Sequence, residues 1–188
     1  MEQPTDAEST LTLREGREGY FERSGIEPGY DARWVTLRAG GIPVLAFPNT
    51  AARVRAVRFH DLHHVVTGYD TSWTGEAEIA AWEIATGCGS FAAAWLLNLG
   101  AFAVGLCIAP RAVFRAFARG RHSANLYHRG EWSEALLDGG VAELRAELGL
   151  DRGAPRAGAA DVAAFAGWVA AAIAYAIYLP AIGIWLLA

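Results

Sequence analysis

Apolar and charged positions are segregated along this chain, and the segregation predicts its elements. Two runs of 27 residues, Ile84 to Pro110 and Val162 to Ala188, hold no charged residue. At about 1.5 Å per helical residue, either is long enough to cross the roughly 30 Å hydrocarbon layer of a bilayer. The first is interrupted at Thr86-Gly87-Cys88-Gly89 and again at Gly100, so two shorter helices suit it as well as one. Upstream, Thr50 is a cap for a helix over Ala51 to about Thr67, closed by Gly68. A turn-forming stretch from Tyr69 leads, through Thr74, into the acid-rich helix start Gly75-Glu76-Ala77-Glu78, and that helix continues through Trp82 and Glu83. After Pro110, Arg111, Arg115 and Arg119 recur every fourth residue beside Val113, Phe114 and Phe117, a basic amphipathic helix suited to an anionic membrane surface. A soluble amphipathic helix follows from about Ser133 to Leu148 and stops at Gly149.

Residues 1–50 carry Gly16, Gly19, Gly25, Pro28, Gly29, Gly40, Gly41, Pro43 and Pro48, which break any long period. They read as a loosely structured N-terminal arm, with a short hairpin around Gly40-Gly41 between Trp34–Leu37 and Ile42–Phe47. Residues 51–150 form a helical domain, 151–161 a linker and 162–188 a C-terminal membrane anchor, so the fold class is all-α. A compartment argument separates the two charge-free runs. If Ile84 to Pro110 crossed the bilayer, the segments before and after it would face opposite sides and could not share one fold, so it reads as packed or interfacial helices. Val162 to Ala188, with Arg152 and Arg156 ahead of it, reads as a transmembrane helix that leaves the main domain on the cytoplasmic side of a bacterial inner membrane, an in-plane helix being the alternative.

Composition narrows the function classes. A length of 188 residues favours one domain. Sixteen basic against 20 acidic residues, net charge -4, leave no basic field of the kind nucleic acid requires, so nucleic acid is not an expected partner. All 16 basic residues are arginine, and 38 alanines supply the strongest helix former. Cys88 and Cys107 are too few for a disulfide framework or a cysteine-based zinc ribbon and read as reduced, packed thiols. The acidic start, Met1 to Thr12, has neither the basic residues nor the apolar run of an export signal.

Three of the five histidines fall in His60-Asp61-Leu62-His63-His64, and Glu76 stands twelve positions beyond His64 across the turn. On a helix His60 and His64 lie one turn apart on one face, flanked by Asp61. The turn reverses the chain, so Glu76 on the next helix can approach the same point. Two imidazoles and two carboxylates suit one divalent metal, zinc first, with iron, manganese or cobalt as alternatives. The spacing alone serves ordinary helix polarity equally well.

The stretch His60-Asp61-x-x-His64, eleven residues, then Glu76, with Gly68 and Gly75 in place, resembles the signature of the coenzyme Q biosynthesis protein 4 family. Trp82-Glu83, Gly120-Arg121, Glu131-Trp132 and Leu144-Arg145-Ala146-Glu147-Leu148-Gly149-Leu150 also look like that family, so the resemblance covers residues 50–150. It implies an all-helical, membrane-associated protein of ubiquinone assembly. His60, Asp61, His64 and Glu76 would be at once the metal ligands and the catalytic residues, beside a pocket for a polyisoprenoid quinone or its precursor, with residues 84–110 packed around the lipid tail. It further implies oxidative decarboxylation of a polyprenylated hydroxybenzoate and the organisation of other membrane proteins. The chain departs from the pattern at His63, which reads as an exposed neighbour, with a proton carrier behind the ligands as the alternative, and in its uncharged tail; residues 1–50 match weakly.

Other polar residues have plainer readings. Glu83, two turns beyond Glu76, faces the same way and can orient a ligand, whereas Glu78 reads as solvated. Arg53, Arg55 and Arg58 read as a solvated helix face, with anion binding as the alternative, and His122 and His128 as surface residues. His60-x-x-His63-His64 also fits one box of membrane di-iron enzymes, which resemble this chain less because they use about eight histidines, and no histidine precedes His60 for an HD-type phosphohydrolase. The competing function is a non-catalytic isoprenoid-binding module that docks partner proteins.

Overall fold

Local capping decides where the helices begin. The structure is a computed structural model; it describes residues 11–25, 29–39, 41–153 and 155–187, with side chains described except at 37–39, 44–45 and 179–187. Residues 1–10 of the acidic start, Pro28 and Gly40 of the arm, and Ala188 lie outside them. The fold is mostly helical, as expected. Helix α1 (Leu13–Ser24) opens on a capping box: Glu15 N–H donates to the Thr12 hydroxyl at 3.2 Å, and Thr12 N–H donates to the Glu15 carboxylate at 2.9 Å. The reading of a loose arm missed this helix. Gly16 does not break it; a Cβ there would lie 2.8 Å from Val65, so the glycine lets α1 sit against the next helix. Strands β1 (Trp34–Ala39) and β2 (Ile42–Pro48) form the antiparallel hairpin, with an irregularity between Leu37 and Arg38.

Helix α2 (Ala51–Thr67) is capped by Thr50 and closed by Gly68 at φ 78°, as the sequence indicates. Helix α3 (Trp73–Thr86) is capped by Ser72, two residues before Thr74, because the Asp70 carboxylate holds the Ser72 amide and hydroxyl. The charge-free run after it breaks at Gly87–Phe91 and then forms a single helix, α4 (Ala92–Ile108). Gly100 stays helical and takes the ring of Tyr175, whose hydroxyl would lie 3.4 Å from a Cβ there. Helix α5 (Pro110–Arg121) begins on Pro110, where the missing amide costs nothing. Ser133 to Leu148 is not one helix. Gly139-Gly140 divides it into a 3-10 turn (Glu134–Asp138) and α6 (Val141–Glu147). That break receives the N-terminus: Leu13 N–H donates to Gly139 C=O at 2.8 Å, Val141 N–H to Leu11 C=O at 2.9 Å, and Arg14 pairs with Asp138 at 2.8 Å. Helix α7 (Ala159–Leu187) ends the described chain.

Two clusters of buried apolar side chains hold these elements. One joins Phe59, Leu62 and Val66 of α2 to Trp82, Leu126 and Tyr127; the other joins Ala81 of α3, Phe102 of α4 and Val113 and Phe117 of α5. The α3–α5 contact is close enough to need glycine: a Cβ at Gly120 would meet the Trp82 carbonyl at 2.6 Å and Ala85 at 2.7 Å. Gly120→Val is therefore expected to cost at least about 2–4 kcal/mol, read as a lower melting temperature by circular dichroism. An unchanged melt would mean the helices separate freely there.

Helix α7 is long and apolar enough over Ala159–Tyr178 to cross a membrane. It also packs on the domain. Phe165 meets Phe102, Phe114 and Phe117 at 5.0–5.6 Å, and Trp168 stacks on Trp95 at 5.5 Å. At its start Asp161 accepts from the Gly158 amide at 2.9 Å and contacts Arg121 and His122. Helix α4, at 17 residues, measures about 25 Å and falls short of a bilayer.

Candidate metal centre

Antiparallel return through the Gly68–Ser72 turn places α2 and α3 face to face, and the ligand pattern closes there. His60 Nε2 and His64 Nε2 lie 3.2 Å apart; Glu76, in the first turn of α3, stands 3.5 Å from each imidazole nitrogen through its two oxygens. Among the described residues this trio is the one His/Cys/Asp/Glu group gathered closely enough to hold an ion, with ligand atoms within 4.8 Å of one another. Atoms bound about 2.1 Å from a common ion are about 3.4 Å apart at tetrahedral angles and about 3.0 Å apart at octahedral ones. The observed separations need almost no rearrangement.

The tautomers follow from the outer hydrogen bonds. His60 Nδ1 donates to Glu83 at 2.9 Å, and His64 Nδ1 donates to the Tyr69 carbonyl at 2.9 Å. Both Nε2 lone pairs therefore point into the same small space, which only a cation between them relieves. In the metal-free protein that cation is a proton. Burial alone would lower His60, but the carboxylates of Glu83 and Glu76 outweigh it and hold the imidazole well above its ordinary pKa. Burial would raise Glu76, and the two imidazoles reverse that, keeping its carboxyl well below the usual range. Two carboxylates, Glu76 and Glu83, balance the charge of one divalent ion.

Glu83 lies fully buried beneath the ligands. Its Oε1 accepts from His60 and from His63 Nδ1 at 2.6 Å, and its Oε2 accepts from Asn98 Nδ2 and from the Tyr127 hydroxyl at 3.0 Å. Each partner donates. His63 Nε2 in turn accepts from the Leu126 amide at 3.0 Å, so His63 is a neutral, buried brace rather than an exposed neighbour, and burial lowers its pKa. The ligand-orienting role expected of Glu83 matches this arrangement.

Asp61 is placed differently from the expectation. It lies outside the trio, and its Oδ2 accepts from the Tyr30 hydroxyl at 2.5 Å. Its position one residue after His60 turns it toward the loop that precedes β1, where burial raises its pKa. Tyr20 of α1 stacks on His64 with ring centroids 5.1 Å apart and covers that side of the site. Sequence reasoning missed Tyr20, Tyr30 and Tyr127, which arrive from distant segments without a local signal. Asn98 did carry one, as the sole amide in a charge-free run.

The remaining polar residues lie elsewhere. Glu78 is part-exposed on α3 with its pKa raised chiefly by burial. Arg58 stacks over Tyr30 and Trp132, and Arg53 donates to Asn49 at 2.7 Å while its Nε is buried without a hydrogen-bond partner. His128 meets the Thr86 carbonyl, and His122 meets Asp161. The chain matches no family model, no curated protein and no solved structure.

Proposed function

We propose that this protein is a membrane-associated, metal-dependent enzyme of isoprenoid quinone assembly at a bacterial inner membrane, and that it replaces the ring carboxylate of a polyprenylated hydroxybenzoate by hydroxyl. The observation that carries the reading is the count of ligands. Structural zinc sites have four protein ligands, whereas His60, His64 and Glu76 are three, leaving positions for substrate or water. Two histidines and one carboxylate form a set shared by catalytic zinc and by ferrous iron, with manganese or cobalt also compatible. The resemblance of His60-Asp61-x-x-His64…Glu76 to the coenzyme Q biosynthesis protein 4 family supplies the substrate class.

The reaction is balanced as carboxylate plus dioxygen, two electrons and protons, giving phenol, carbon dioxide and water; the electrons come from an external reductant. The metal supplies charge stabilisation at the ring oxygens. The chain's own residues do the rest. Glu83 and the Tyr69 carbonyl fix the two imidazoles, Tyr20 screens His64 from water, and the Tyr30–Asp61 pair stands beside the ligands. The polyprenyl tail stays with the membrane that the apolar α7 enters, with room for protein partners there.

Lipid analysis of a host lacking the gene tests this. The expected result is accumulation of the carboxylated polyprenyl precursor, reversed by the wild-type chain and not by His64→Ala. Full reversal by His64→Ala would assign the protein instead to a non-catalytic isoprenoid-binding module that docks other proteins.

A further inference from the structure

Helix α4 is the least explained element of the fold. It has no charged residue, yet it is too short to cross a bilayer, and it is only partly covered. Its inward side carries Asn98 and Phe102, and Trp95 and Gly100 meet Trp168 and Tyr175 of α7, but Leu96, Val104 and Ile108 remain 51%, 42% and 52% exposed. Helix α7 leaves Val162, Ile173 and Ile177 more than half exposed as well.

The packing of α7 decides what covers these side chains. Phe165, Trp168 and Tyr175, which hold α7 to α4 and α5, lie inside the apolar span Ala159–Tyr178. The helix is thus not a tether that leaves the domain free in water. A membrane that receives the exposed face of this segment necessarily reaches α4, packed beside it. Immediately after α4 the chain turns at Pro110 into α5, whose Arg111 and Arg115 are exposed. Apolar side chains followed by uncovered arginines match the passage from acyl chains to anionic headgroups.

We propose that the domain is seated on the bilayer through α4 together with the first half of α7, with Leu96, Val104 and Ile108 among the acyl chains and Arg111 and Arg115 at the phosphates. This rests on the membrane association proposed above and deepens it. A lipid-borne substrate then reaches the domain from within the membrane, without exposing its tail to water.

The chain carries its own reporter. Cys107 is exposed near the end of α4, whereas Cys88 is buried. An environment-sensitive fluorophore attached to Cys107 in the full-length protein, with Cys107→Ser as the labelling control, is reconstituted into vesicles of phosphatidylcholine and phosphatidylglycerol. The expected result is a blue shift, loss of emission to nitroxides on the acyl chains, and protection from aqueous iodide. Iodide quenching equal to that of a dye on Glu131→Cys, with no nitroxide effect, would overturn the seating of α4. Carbonate extraction of the full-length protein tests the spanning of α7 separately, because a protein released by carbonate but bound to vesicles at neutral pH still reports α4 through Cys107. Failure to bind vesicles at all would overturn both readings.

Discussion

Protein purified without chelator is expected to carry about one divalent metal per chain, and His64→Ala or Glu76→Ala to carry none above background in elemental analysis. The geometry suits one ion: the two Nε2 atoms stand 3.2 Å apart with a Glu76 oxygen 3.5 Å from each. A metal would compete for this space with the proton that the Glu83 and Glu76 carboxylates favour on His60. Adding metal to apoprotein in weak buffer should acidify the solution, and uptake should weaken as pH falls and the proton competes better. Asp61→Asn should retain the metal, since its carboxylate serves Tyr30. Equal metal content in wild type, His64→Ala and Glu76→Ala would sink the assignment.

The second large effect belongs to Glu83. His60, His63, Asn98 and Tyr127 all donate to this one buried carboxylate, so no neutral residue of the same shape replaces it. Gln offers one acceptor and one donor group to four donors. Glu83→Gln should lose about 3–5 kcal/mol, measured by urea unfolding of the apoprotein, because buried donors are stranded when a charged partner is removed. In whatever fraction stays folded, metal affinity should fall about 10–100-fold, since His60 loses the group that orients it. A Gln variant as stable as wild type would show that water satisfies those donors.

The parts of this site that sequence reasoning found are those built from nearby residues. The His60–His64 spacing, the Gly68 stop and the reach of Glu76 across the turn depend on one helix pitch and one reversal. Asp61 shows the limit of the same logic: helical phase put it beside the ligands, but Tyr30, arriving from outside the helix, claims it. Glycine misled for a related reason. Gly16, Gly100 and Gly139-Gly140 are indistinguishable as letters; the first marks a close approach between helices, the second lies under the ring of Tyr175, and the third divides a helix to receive the N-terminus. Only the partner segment tells these uses apart. The all-α class is legible because capping and charge-free length are local properties, and the hairpin, the sole sheet among the described residues, is marked by its glycines.

The junction of Thr12 with Gly140 has a consequence for how the molecule is made. Its two sides lie far apart in the sequence, so the N-terminal end of α1 cannot be fastened until the chain has been synthesised past Val141. By then α2 and α3 have long been available to pair, since they are joined by a short turn and close quickly. His60, His64 and Glu76 thus come together early, in a chain whose α1 already has its seat on α2 at Gly16 and Tyr20 but whose N-terminal end is still unpaired. A ribosome paused before α6 would hold a nascent chain in which His60, His64 and Glu76 can already meet, while the hydrogen bonds that pin the start of the helix carrying Tyr20 have no partner yet.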